Sequence, residues 1–115
     1  MVRIRDEQLG ALGQPGLEAL VSAATEFLRA EAPEVVEQAS EEEIRAFVRQ
    51  GVGQAAENGI SDPYLVKQYV LFMAWAGADL AAQPWAVAIL SDTQLSPEAK
   101  IFKIEDYILS QQGGA

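Results

Sequence analysis

The chain contains no histidine and no cysteine in its 115 residues. Without histidine it lacks the side chain that most often serves as a general base near neutral pH. Without cysteine it has no thiol nucleophile, no disulfide and no soft metal ligand. Positive charge is scarce too: 8 Lys and Arg stand against 17 Asp and Glu, a formal charge of −9. Nucleic acids and anionic membranes are held by a basic footprint, which this composition does not supply. The longest apolar stretch, Tyr69 to Ala82, is interrupted by Asp79 and is too short and mixed to span a bilayer. The opening Met1-Val2-Arg3-Ile4-Arg5 carries arginines but not the apolar core of a secretory signal. These absences lead to the expectation of a soluble, cytoplasmic protein that contacts neither nucleic acid nor membrane.

What is present is ordinary for a globular domain. Half of the residues are hydrophobic and 22% are charged, so a single core is expected without help from metal or disulfide. The domain is read as residues 1–110, with 111–115 (Gln111-Gln112-Gly113-Gly114-Ala115) a flexible tail.

Helix punctuation is the clearest positive signal. Ser40-Glu41-Glu42-Glu43 reads as a capping box, in which the serine and Glu43 satisfy each other's backbone N–H groups. Ile44, Phe47, Val48, Gly51, Val52 and Ala55 then recur at the helical period, and Asn58-Gly59 stops the run. A helix over 41–57 follows. Ser61-Asp62-Pro63 predicts a second start, with a helix over 63–77 whose apolar residues cover more than one face, as in a central buried helix. Ser96-Pro97-Glu98 predicts a last helix over 97–110, with Ile101, Ile104 and Ile108 on one stripe.

The first third is less regular. Leu17, Leu20, Val21, Ala24, Phe27 and Leu28 mark an amphipathic helix that ends at Ala32-Pro33. Gly10, Gly13, Pro15 and Gly16 leave two readings before it: a separate short helix over 6–13, slightly preferred, or one kinked helix over 6–31. Short helices are expected near 33–38 and over 84–91, and residues 78–83 read as a loop. No strand-like alternation and no repeat appears, so the fold class is all-α: a compact bundle of four principal helices with one or two short ones.

Candidate chemistry is thin. Glu41 to Glu43, with Glu34 and Glu37 nearby, are explained by capping and a solvated face, since no calcium-type loop accompanies them. Asp62, Asp79, Asp92, Glu105 and Asp106 offer no pair that a hydrolase would need. Ser91 and Ser96 have no histidine to activate them, and Lys100 is poorly placed to do so. Gly51 and Gly53 lie within a helix, so they form no phosphate-binding loop; the small residues Gly51, Gly53, Ala55 and Ala56 suit close helix packing instead. The expectation is a protein with no enzymatic activity, no metal and no cofactor.

The aromatic residues are more informative, because tryptophan and tyrosine dominate protein-binding hot spots. Trp75 is expected in the core. Trp85 is open between core and partner surface, and Asp79, Leu80 and Trp85 together are the candidate partner-binding residues.

Three stretches resemble a family. They are Met1-Val2-Arg3-Ile4-Arg5-Asp6-Glu7-Gln8-Leu9, the run from Gly59 through Asp62-Pro63 to Val70, and Pro84-Trp85-Ala86 through Asp92 with Leu95 to Lys100. Together they are similar to small all-helical accessory proteins encoded beside type VI secretion spike, PAAR-type tip and effector genes of Gram-negative bacteria. The resemblance implies a cytoplasmic accessory protein of such a cluster and carries no catalytic residue. The functional expectation is therefore a non-enzymatic adaptor or chaperone that binds a secreted effector or spike protein. An immunity-type inhibitor of a toxin, and a self-associating structural subunit such as a homodimer, are the alternatives.

Overall fold

The structure, a computed structural model, describes residues 13–113, with side chains over 16–111. Six α-helices follow in order: α1 (Gly13–Glu31), α2 (Pro33–Val36), α3 (Glu41–Glu57), α4 (Pro63–Ala76), α5 (Pro84–Leu90) and α6 (Pro97–Gly113). A 3₁₀ turn, Leu80–Ala82, sits between α4 and α5. Among the described residues there is no strand. The described residues form an all-α bundle of four long helices and two short ones.

The described part of α1 runs from Gly13, so the predicted helix over 6–13, but for its last residue, and the first part of the alternative kinked helix over 6–31 lie outside the described residues. Its inward face is Val21, Ala24, Thr25 and Leu28, the spacing expected of one stripe on a 3.6-residue helix. Thr25 is buried, and its hydroxyl donates to the Val21 carbonyl at 2.7 Å, so no polar group is stranded. Pro33 then takes the first position of α2, where its missing N–H costs nothing.

The start of α3 is built as its residues dictate. Ser40 Oγ accepts from the Glu43 N–H at 3.1 Å, and Glu43 Oε1 accepts from the Ser40 N–H at 2.8 Å. Its end is a complete Schellman motif. The Ile60 N–H reaches the Ala55 carbonyl at 2.8 Å and the Gly59 N–H reaches Ala56 at 3.1 Å, with Gly59 at φ 80°. Ile60 is fully buried by this closure.

α4 is the central helix. Leu65, Val66, Tyr69, Val70, Leu71, Phe72 and Met73 are all buried, because the helix packs against α1, α3 and α6 at once. Asp62 caps its start, accepting from the N–H groups of Tyr64 and Leu65 at 2.9 and 3.4 Å. α3 approaches α4 closely at Gly51: a Cβ there would lie 2.8 Å from Val70 Cγ2 and 3.0 Å from Met73 Sδ. Gly53, by contrast, has nothing within 4 Å. Of the small residues expected to permit close packing, Gly51 and Ala55 face the core, whereas Gly53 and Ala56 face solvent.

α6 lays Ile101, Ile104 and Ile108 against α4, as the stripe predicts. Ser96 Oγ accepts from the Ala99 N–H at 3.1 Å and caps it. The helix runs to Gly113, beyond the predicted end at 110, so Gln111 to Gly113 extend α6. Charged contacts link α1 to α3: Arg29 with Glu41, Arg49 with Glu18 at 3.4 Å, and Arg45 with the Ser22 hydroxyl at 3.0 Å. They are exposed, so each adds little stability. No helix among the described residues is long and apolar enough to cross a membrane.

Candidate functional site

The segment that follows α4 carries the predicted binding residues. Gly77, at φ 115° and ψ 153°, occupies a region that strains any residue with a Cβ, and it reverses the chain out of α4. The chain then forms the 3₁₀ turn rather than the open loop predicted over 78–83. Leu80 is the physical reason. It is fully buried, and a buried backbone must pair its polar groups. It does so through Leu80 N to Gly77 O at 3.1 Å, Ala82 N to Asp79 O at 2.8 Å and Gln83 N to Leu80 O at 3.2 Å.

Leu80 is therefore a core residue, and the expectation that it faces a partner is corrected. Asp79 is exposed and Trp85 is half-buried. A residue that the sequence reading did not single out joins them. Gln83 Nε2 donates to Asp79 Oδ1 at 3.1 Å and to the Ala76 carbonyl at 2.9 Å, while its Oε1 accepts from the Trp85 indole N–H at 2.8 Å. The same turn is held from α3, where Gln50 and Gln54 donate to the Ala78 carbonyl at 3.3 and 3.0 Å. No sequence spacing announces three glutamines converging on one turn.

Trp85 stacks on Tyr107 of α6, ring centroids 4.0 Å apart and planes 11° from parallel. Across from this pair stands Trp75, 36% exposed, its ring 6.0 Å from that of Phe72. The expectation that Trp75 belongs to the core is overturned. α4 buries its residues as far as Met73, and Trp75 emerges beyond them near the helix end. Between α4, α5 and α6 lies a cleft of about 190 Å³, walled by Trp75, Ala76, Trp85, Tyr107 and Ile108, with Gln83 and Gln111 at its edges. Among the described residues no carboxylate, lysine or arginine lines it. Two indoles, a phenol and two amides suit an apolar or aromatic side chain inserted from outside, with hydrogen-bonding groups around it.

A second cleft, about 370 Å³, opens between α1, α2 and α3. Its walls are Leu28, Val35, Val36, Ala39, Ile44 and Phe47, with Gln38 and Glu43 at the rim. The sequence reading did not anticipate it, since the four-residue α2 that forms one wall is too short to show a periodic face.

Four of the polar groups considered for chemistry have structural roles. Asp62 and Ser96 cap helices, Asp92 Oδ1 accepts from the Gln94 N–H at 2.9 Å, and the Ser91 hydroxyl donates to the Val87 carbonyl at 2.6 Å. Among the described residues no group of three or more carboxylates is placed to hold a metal ion. Burial, then the charge of Glu57, pushes the Tyr69 phenol up to about 12. Its hydroxyl donates to Gln54 Oε1 at 2.8 Å inside the core, which makes it a packing group rather than an acid.

No family model, curated protein or solved structure matches the chain.

Proposed function

We propose that this protein is a non-enzymatic binding module, an adaptor or chaperone that holds a secreted effector or spike component of a bacterial secretion cluster. The Trp75, Trp85 and Tyr107 cleft carries this reading. A half-open pocket walled by large, stiff aromatic side chains is the surface composition of a binding hot spot. Trp85 is already fixed by Tyr107 and by Gln83, so little side-chain freedom is lost when a partner arrives. The resemblance of Met1 to Leu9, Gly59 to Val70 and Pro84 to Lys100 to accessory proteins of type VI secretion clusters supplies the kind of partner.

The formal charge of −9 favours one further reading, an immunity-type inhibitor that covers the basic site of a toxin. The two differ in consequence. An adaptor is needed for export of its partner, whereas an inhibitor protects the cell from it. The test is capture of the tagged protein from its native cells, followed by deletion of its gene. A stoichiometric effector or spike protein whose secretion fails in the deletion strain supports the adaptor. A toxin that kills the deletion strain without any loss of export supports the inhibitor. Recovery of the protein alone, as monomer or homodimer, contradicts both.

A further inference from the structure

We propose that the cleft between α1, α2 and α3 is a second docking surface, and that its occupant is a basic amphipathic helix of a protein partner. This rests on the reading of the protein as a binding module, but on a different face from the Trp75 cleft and on different observations.

The first observation is the shape. At about 370 Å³ the cleft falls in the range of roughly 300–1,000 Å³ typical of built ligand sites, and its walls are apolar. Val35 is 40% exposed at its edge, an aliphatic side chain held towards water by a helix that buries no residue of its own. Phe47 and Val36 are half-buried on the opposite walls. α2 thus stands off from α3 and leaves an open apolar trough. An amphipathic helix fills such a trough with side chains at i, i+3 or i+4, and i+7.

The second observation is charge. Residues 31–43 contain Glu31, Glu34, Glu37, Glu41, Glu42 and Glu43 and not one Lys or Arg. These residues run from the end of α1 along α2 to the first turn of α3, the segments that build the trough; all six are exposed, Glu43 lines the trough itself, and Glu34 and Glu37 flank its wall residues Val35 and Val36 in the chain. The nearby cations Arg29 and Arg45 both pair with Glu41, so they neutralise little of the rim. Capping explains Glu43, and the first turns of α3 and of the four-residue α2 favour Glu41, Glu42 and Glu34, but Glu31 and Glu37 stand outside any first turn. An apolar floor beside a carboxylate rim is complementary to lysines and arginines flanking an apolar stripe. An acidic or neutral helix would gain the same burial and be repelled or ignored by the rim.

The test uses the full chain and two synthetic peptides with the same leucine stripe, one with lysines and arginines on its polar face, the other with glutamates. Backbone and methyl chemical shifts are followed during titration. The proposal requires saturable shifts at Leu28, Val36, Ala39, Ile44 and Phe47 with the basic peptide, and none with the acidic one. Glu34→Lys/Glu37→Lys should weaken the basic peptide by roughly tenfold and rescue the acidic one. Val35→Ser, which leaves the rim charge intact, should weaken it by several-fold. If the charge reversal disturbs α2, the Val35→Ser result decides. The proposal is overturned if the basic peptide maps to the Trp75 cleft, if both peptides bind alike, or if the free protein already covers the trough. Such cover would show as a dimer in sedimentation or as contacts between Ile4 and Phe47 in the free chain. The shifts that the proposal requires all lie outside the Trp75 cleft, so their absence leaves the aromatic cleft untouched, and the reverse.

Discussion

Glycine illustrates how far a single residue can be read. Gly51 and Gly53 sit two positions apart in α3, and a helix-propensity scale treats them alike. The structure separates them. A methyl group at Gly51 meets the stiff, β-branched Val70 at 2.8 Å, so the overpacking cost of about 1–3 kcal/mol outweighs the helix gain of about 1 kcal/mol. Gly53 faces open space and only the gain applies. Gly51→Ala should therefore destabilise the fold while Gly53→Ala stabilises it by about 0.5–1 kcal/mol. Urea unfolding of the pair gives opposite signs, and equal signs would contradict the close approach of α3 to α4. Tyr69 makes a prediction in pH. With an ordinary value of 10.0 in the unfolded chain and about 12 in the fold, both states are neutral below pH 10.0 and the stability is complete there. Above it the unfolded chain ionises while the fold stays protonated, so stability falls as pH rises towards 12. Tyr69→Phe should lose about 1 kcal/mol near neutral pH with its bond to Gln54, yet decline less steeply in that alkaline window. Parallel curves for the two proteins, followed by circular dichroism, would show that the phenol is solvated.

At the scale of elements, the helices that announce themselves are those whose ends are written in side-chain chemistry. The Ser40 box, the Asp62 cap, the Ser96 cap and the Gly59 stop each act within a few residues, and each appears as expected. Elements fixed by distant contacts do not announce themselves. The turn Leu80–Ala82 looks like a loop because its one large apolar residue is a leucine beside two alanines, and only the core beneath it makes that leucine decisive. Trp75 looks like core because α4 is apolar nearly all round, and only the positions of α1, α3 and α6 show which side stays open. Of the proposed binding residues Asp79, Leu80 and Trp85, the sequence does not show which ones the core takes. Leu80 points inward, and Gln83, which ties Asp79 to Trp85, had no signal beyond being a polar residue before a proline. Gln83→Ala leaves the Trp85 indole N–H and the Ala76 carbonyl without their partner, and should cost about 1–3 kcal/mol. It should also diminish the near-ultraviolet circular dichroism that the Trp85–Tyr107 stack generates. A spectrum unchanged in that variant would mean that stacking on Tyr107 alone orients the indole.

For the whole molecule, the distribution of charge and aromatic surface says more than any one side chain. The core is built from aliphatic residues with Tyr69 and Phe72, while Trp75, Trp85 and Tyr107 are kept at a cleft. Acidic residues crowd one edge, from Glu31 to Glu43. Such surfaces suit association, and electrostatically steered association slows as salt screens it over about 10 Å at 0.1 M ionic strength. If the acidic edge steers the partner, the association rate should fall steeply with added salt while the dissociation rate changes little, as stopped-flow mixing can show. A salt-independent rate would remove the steering role and leave the cleft alone to supply affinity. The most direct measurement of the central claim is calorimetric titration of the captured partner into the wild-type protein and Trp75→Ser. Trp75 is partly exposed, so the substitution should leave the fold intact. The aromatic cleft predicts a loss of at least roughly tenfold in affinity. Equal affinity for the two proteins, with both folded, would contradict it.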